Sequence, residues 1–372
     1  MTDMKSNILS KYVIKNVRLA NRLAVAPMTR VSATEEGLLT QTMHDYYVRF
    51  AKGGFGLIIT EGLYTDQAFS QGYRFQPGLT DGEQALAWIE TTQVLQANGA
   101  KVFAQLMHAG ALSQGNRFRA QTVAPSAVQP VGEQMSFYYG EGRYPEPREI
   151  SEAEVVEVIQ GFVESAVRAV RLSGFDGIEI HGSNGYLLDQ FLTARTNRRQ
   201  DRWGGDIKAR VGLLVDIIKA VKAEVGAEVP VGIRISQGKV NDFAYKWPGG
   251  EADAQVIFTS LAKAGADFIH VTEHEAWQPA FVGGNESLVA LARRFAPGVS
   301  IIANGSLHSV ERANGVLQDG ADIVAQGRGA LSNPDLPQVY AHGGEPRVFD
   351  SAILGPIANI KASELALLGE HA

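Results

Sequence analysis

The 372-residue chain has no cysteine, which removes disulfides, thiolate nucleophiles, iron–sulfur clusters and thiolate-ligated zinc together. It has no apolar run of about eighteen residues, and no basic head followed by an apolar stretch at its start. Neither a membrane span nor a signal peptide is therefore expected, and the expected location is cytoplasmic. Blocks of like charge are missing as well. With 34 Lys and Arg against 40 Asp and Glu, and no basic cluster to track phosphates, nucleic acid is not an expected partner. No G-x-G-x-x-G follows a candidate strand and no G-x-x-x-x-G-K-[ST] occurs, which argues against a dinucleotide-binding sheet or a P-loop.

What the chain does have is a short apolar run, rich in Val and Ile, that recurs eight times. The runs are RLAVAPMT from Arg22, GLIITEG from Gly56, KVFAQLMH from Lys101, DGIEIHG from Asp176, VGIRIS from Val231, DFIHVTEH from Asp267, SIIANG from Ser300 and DIVAQGR from Asp322. Runs apolar on both faces suit parallel strands covered by helices. Between them lie helical patterns, clearest at 151–172, where Ser151 and Glu154 form a capping box, and at 206–225. Weaker patterns cover 81–98, 252–264, 286–296 and 309–319. Eight strands alternating with helices predict one (β/α)8 TIM barrel over residues 1–372, in the α/β class, with an excursion at 112–150 and long loops at 237–250 and 274–284.

In such a barrel the site lies where the strands end. After the last two runs come Asn304 and Gly305, then Gly327 and Arg328, which either cradle a phosphate or merely end strands. Arg234, inside GIRIS, must pair with a structural carboxylate or face an anionic ligand. His181, Asn184 and Tyr186 follow the fourth run within six residues; they can form an oxyanion-type hole with a phenolic acid, or a polar turn with a core tyrosine. His270 and His274 lack the carboxylate cluster of a metal site, so no metal is expected. No lysine ends a strand, Lys239 being five residues past Arg234, which argues against imine chemistry.

Nine motifs in order, NRLAVAPMTR at Asn21, TEG at Thr60, QLMHAG at Gln105, APS at Ala124, EIHGSNGYLLDQFL at Glu179, NRRQDRWGG at Asn197, GIRIS at Gly232, ANG at Ala303 and GRGALSNPDLP at Gly327, resemble the Old Yellow Enzyme family of FMN-dependent ene-reductases. The resemblance implies non-covalent FMN beside Pro27, Met28, Thr29 and Gly62, with Gln105 on its pyrimidine edge and Arg234 near N1. Gly305, Gly327 and Arg328, with Asn304, would take the phosphate. His181 and Asn184 would grip a substrate carbonyl and Tyr186 would donate a proton. Thr29 places the chain with the Thr-bearing branch; Ala111, Trp203, Ser183 and Ser306 depart from the usual pattern.

The implied activity is ping-pong reduction, by NADPH or NADH, of C=C bonds activated by a carbonyl or nitro group in a small molecule. Two readings stay beside it: an FMN barrel acting on nitrate esters, quinones or dienoyl thioesters, and a non-catalytic flavin- or phosphate-binding barrel. Oligomeric state is not legible.

Overall fold

Short aliphatic segments buried on both faces become the staves of a closed barrel in the computed structural model, which describes residues 8–368. The strands are β1 (Leu23–Val25), β2 (Leu57–Ile59), β3 (Lys101–Met107), β4 (Gly177–Asn184), β5 (Val231–Lys239), β6 (Phe268–Thr272), β7 (Ser300–Asn304) and β8 (Ile323–Gln326). Each pairs in parallel with the next, and β8 pairs with β1 to close the ring. All eight correspond to the apolar runs of the sequence. The expected (β/α)8 architecture is what the chain adopts.

The interior is packed rather than open. Ala24, Leu57, Phe103, Phe268, Ile302 and Ile323 form an inner cluster, with the Phe103 and Phe268 rings 5.4 Å apart. An antiparallel hairpin, Tyr12–Ile14 with Val17–Leu19, adds Ile14 and Leu19 to it. With the lower barrel filled by apolar side chains, polar ones are left at the strands' C-terminal ends.

Outside run α1 (Gln41–Lys52), α2 (Ile89–Ala97), α3 (Glu152–Arg171), α4 (Gly212–Val225), α5 (Glu251–Lys263), α6 (Leu288–Phe295), α7 (Val310–Gln318) and α8 (Leu336–Ala341). The Ser151–Glu154 capping box at the start of α3 is present in both directions. Two expected helices are broken. The 206–225 pattern divides into Ile207–Arg210, capped by Asp206, and α4, with Val211 between; Gly212 weakens the helix there, and Arg210 turns inward to the Leu192 carbonyl at 2.9 Å. The 81–98 pattern divides at Ala87 and Trp88, where the fully buried indole packs on Tyr47 and Phe175.

The excursion at 112–150 is held at its base by Val123–Ala124 pairing with Arg148–Glu149. A 3-10 turn at Ser136–Tyr138 lies between them. Among the described residues no helix is long and apolar enough to cross a membrane.

Candidate active site

A cavity of about 610 Å³ opens at the C-terminal ends of the strands, inside the range of roughly 300–1,000 Å³ usual for small-molecule sites. Of the residues expected from sequence, Pro27, Met28, Thr29, Gln105, His181, Asn184, Tyr186, Arg234, Asn304, Gly305, Gly327 and Arg328 all line it. Gly62 does not. Its carbonyl accepts from Gln76 Nε2 at 2.7 Å, and a Cβ there would lie 2.5 Å from Met107 Sδ. That glycine serves close packing beyond β2 rather than the cavity wall. Further lining comes from Met135, Phe137 and Tyr138 of the excursion, from Val240 and Phe243 after β5, and from Glu273 after β6.

His181 and Asn184 leave β4 as a pair of donors. The Ser183 backbone N–H points at His181 Nδ1 from 3.4 Å, and the Ser183 hydroxyl lies 3.1 Å from the same nitrogen. A backbone N–H only donates, so Nδ1 is the acceptor and the ring proton belongs on Nε2. Burial, then the charge of Arg234, hold the imidazole's pKa well below its ordinary 6.5. The ring is therefore a neutral N–H donor. Asn184 sits at φ +62° and Gly185 at +88°, a bend held by Asp189, whose Oδ2 accepts from the Gly185 N–H at 2.7 Å. Lys239 in turn grips both Asp189 oxygens at 2.7 and 2.8 Å. No partner among the described residues takes the Asn184 carboxamide. Lys239 thus ends as a structural cation, consistent with the argument against an imine.

Behind this pair Tyr186 is buried, with its hydroxyl 2.5 Å from that of Tyr73. Burial raises the Tyr186 phenol to about 12, while the hydrogen bond with Tyr73 works in the lowering direction. Tyr73 is wholly buried, and its own pKa is pushed well above 10.0, first by burial. Its hydroxyl stays protonated, so it can donate to Tyr186 when Tyr186 gives its proton up. Tyr138 packs on Tyr73, ring centroids 4.7 Å apart, and donates to the Thr29 carbonyl at 3.2 Å.

Across the floor, Arg234 Nη2 donates to Thr272 Oγ1 at 3.2 Å and to Asn304 Oδ1 at 2.9 Å. No carboxylate among the described residues is within ion-pair distance, and its buried Nε has no partner. Of the two roles open to it in the sequence, facing a ligand is the one this geometry fits. Asn304 spends its amide on Arg234, Thr272 and the Ala325 carbonyl, so it positions the arginine more than it offers itself to a ligand.

At the far end the wall is backbone. Gly305 has φ +142°, and a Cβ there would lie 2.2 Å from the Glu273 carbonyl oxygen, so only glycine fits. Arg328 is exposed and makes one long bond, 3.3 Å, to Ser306 Oγ. A guanidinium so lightly engaged, beside two glycines, suits an anionic group. His270, by contrast, is not near His274 in role: it is buried in the barrel against Glu179 at 2.8 Å.

The model of the NADH:flavin oxidoreductase / NADH oxidase family matches residues 11–345. The chain is 33% identical over 348 residues, 91% of its length, to an NADH oxidase of Thermoanaerobacter brockii, of which it spans 51%. It spans 49% of a metal reductase of Desulforamulus reducens, and so about half the length of both. It is also 30% identical over 355 residues to 12-oxophytodienoate reductase 7 of Oryza sativa subsp. japonica, covering 90% of the chain and 87% of that protein. Among solved structures, an Old Yellow Enzyme homologue of Zymomonas mobilis superposes with TM-score 0.85 at 27% identity, covering 96% and 98% of the two chains. Morphinone reductase in complex with tetrahydroNAD does so with TM-score 0.81 at 28% identity, covering 94% of each.

Proposed function

Because the chain belongs to the NADH:flavin oxidoreductase / NADH oxidase family, we propose that it is an FMN-dependent reductase that uses NADH or NADPH to saturate C=C bonds activated by a carbonyl or nitro group. The observation that carries this is the convergence, on one cavity wall, of two uncharged donors and a buried phenol, facing a guanidinium with no carboxylate partner. The residues fit FMN: Arg234 leaves a buried Nε unpaired, Gln105 lines the same cavity, and the Gly305, Gly327 and Arg328 end is open to an anion. When bound, FMN supplies reversible hydride transfer between the nicotinamide and the alkene.

The chain's own residues supply the rest. His181 Nε2–H and the Asn184 carboxamide donate to the substrate oxygen, which draws electron density away from the conjugated double bond. Tyr186 gives its proton to the α-carbon that becomes basic, and Tyr73 donates to the phenolate oxygen left behind. Arg234 would help hold FMN and would favour negative charge on the bound ring. Met135, Phe137, Tyr138 and Val240 present apolar surface around the acceptor. The cavity suits a small molecule with one polar head rather than a polymer.

The purified protein is expected to be yellow and to release FMN, not FAD, on heating, because the floor and the Arg328 end provide for one phosphate. NADH or NADPH should bleach that colour anaerobically, and an enone should restore it. A protein that stays colourless after incubation with FMN, or whose flavin is never bleached by either nucleotide, would remove this reading and favour a binding role.

A further inference from the structure

We infer that Glu179 is a positioning residue that fixes the side-chain amide of Gln105 with its carbonyl oxygen toward the cavity, so that the floor reads an N–H on the ligand's ring edge; this rests on the FMN reading above. Glu179 lies on β4 inside the barrel and is fully buried. Its register partner on β3 is Gln105. Both carboxylate oxygens are spoken for: Oε1 accepts from Gln105 Nε2 at 2.8 Å, and Oε2 faces His270 Nδ1 at 2.8 Å. Burial pushes the His270 pKa below its ordinary value, against the pull of Glu179, so this imidazole is a neutral group with one N–H, given to the carboxylate.

The consequence is in the amide. A Gln side chain has one donor end and one acceptor end, and which way it faces is otherwise ambiguous. A carboxylate accepts, so it selects the NH₂ end of Gln105. The opposite end, Oε1, has no partner among the described residues, and Gln105 lines the cavity. Arg234, which only donates, lines the same cavity. An acceptor and a donor lining one cavity complement a cyclic imide edge, where N–H and C=O alternate. Flipping the amide would set an NH₂ group there and repel that N–H.

The probe is FMN and its 3-methyl derivative, in which the imide N–H is replaced, each titrated into flavin-free protein and followed by flavin fluorescence and absorption. Wild-type protein should bind FMN more tightly than 3-methyl-FMN by about tenfold or more, the worth of one buried hydrogen bond. In Glu179→Gln the new amide can accept from or donate to Gln105, both orientations become accessible, and the preference should shrink to within a few-fold. Gln105→Ala should abolish it, and His270→Gln, which leaves Glu179 to hold Gln105, should keep most of it. A wild-type protein that binds both flavins equally overturns the inference without any variant folding, while leaving the FMN reading intact. Retention of the full preference in folded Glu179→Gln also overturns it. Failure of wild-type protein to bind FMN at all overturns both.

Discussion

Tyr186 and Tyr73 are separated by 113 positions in sequence yet share a 2.5 Å contact, and two variants divide their roles. Tyr186→Phe removes the acid but leaves the ring, so flavin reduction by the nicotinamide should stay close to wild type while enone-driven reoxidation slows by roughly a hundredfold or more. Nitroalkenes give a stabilised anion that solvent can protonate, so they should suffer much less. Tyr73→Phe removes only the donor to the departing phenolate, and should slow the enone step by about tenfold. Rapid mixing of each half-reaction checks this; equal loss in both half-reactions would make either residue structural. The pH dependence follows from the same groups. An ordinary histidine gains a proton as pH falls through 6.5, but the His181 pKa is held well below that, and Tyr186 keeps its proton up to about 12. The enone step should therefore be level between about pH 7 and about pH 10, with no descending limb from either residue. His181, Asn184 and Tyr186 were legible in sequence because they crowd into one turn. Tyr73 and Glu179 were not, because their importance comes from partners that only the closed barrel brings near.

All eight strands were legible, since each is an apolar run ended by polar or glycine residues, and this pattern carries directly into burial. Helices were less so. α1 was missed because its buried face is built from Met43, Tyr46, Tyr47 and Phe50, which leave little aliphatic periodicity, whereas α3 declared itself through Val155, Phe162 and Ala166 with a capping box. The break near Val211 escaped notice because hydrophobic spacing continues across it. Glycine ended strands in several places, and spacing alone could not separate Gly62, packed on Met107, from Gly305, pinned by the Glu273 carbonyl. The turns after β7 and β8 carry the element-level prediction. Arg328 is exposed and makes a single long bond to Ser306, so Arg328→Ala costs the fold little. If that end holds the FMN phosphate, the variant should weaken FMN by about tenfold or more, as for a lost charged hydrogen bond, with an unchanged melting curve of the flavin-free protein. Equal FMN affinity in dialysis would move the phosphate elsewhere.

The family match ends at residue 345, yet the cavity wall includes Leu354, and the segment beyond it ties several parts of the molecule together. Ala358 donates to the Phe137 carbonyl of the excursion at 2.8 Å. Arg30, the neighbour of Thr29, donates to the Ala358 carbonyl at 3.0 Å and to both oxygens of Glu364 at 2.8 and 2.6 Å. Arg49 of α1 reaches the same carboxylate at 3.2 Å. The Arg30 and Glu364 side chains are fully buried, and Arg49 is 3% exposed. Burial alone would raise the Glu364 pKa, but the bond to Arg30 and the charges of Arg30 and Arg49 outweigh it and hold it below 4.5. A carboxylate depressed in the fold stabilises above its unfolded value and loses that contribution as pH falls through the folded value. Glu364→Gln leaves two buried guanidiniums without a counter-charge, which should cost about 3–5 kcal/mol and loosen the wall beside Thr29. At neutral pH the urea midpoint should fall and FMN should dissociate faster. As pH falls below 4.5, wild type should lose stability toward the variant, since protonation does to Glu364 what the substitution does. A gap in midpoint that is the same in acid as at neutral pH would show that the charge of Glu364 is not what holds this segment over the site.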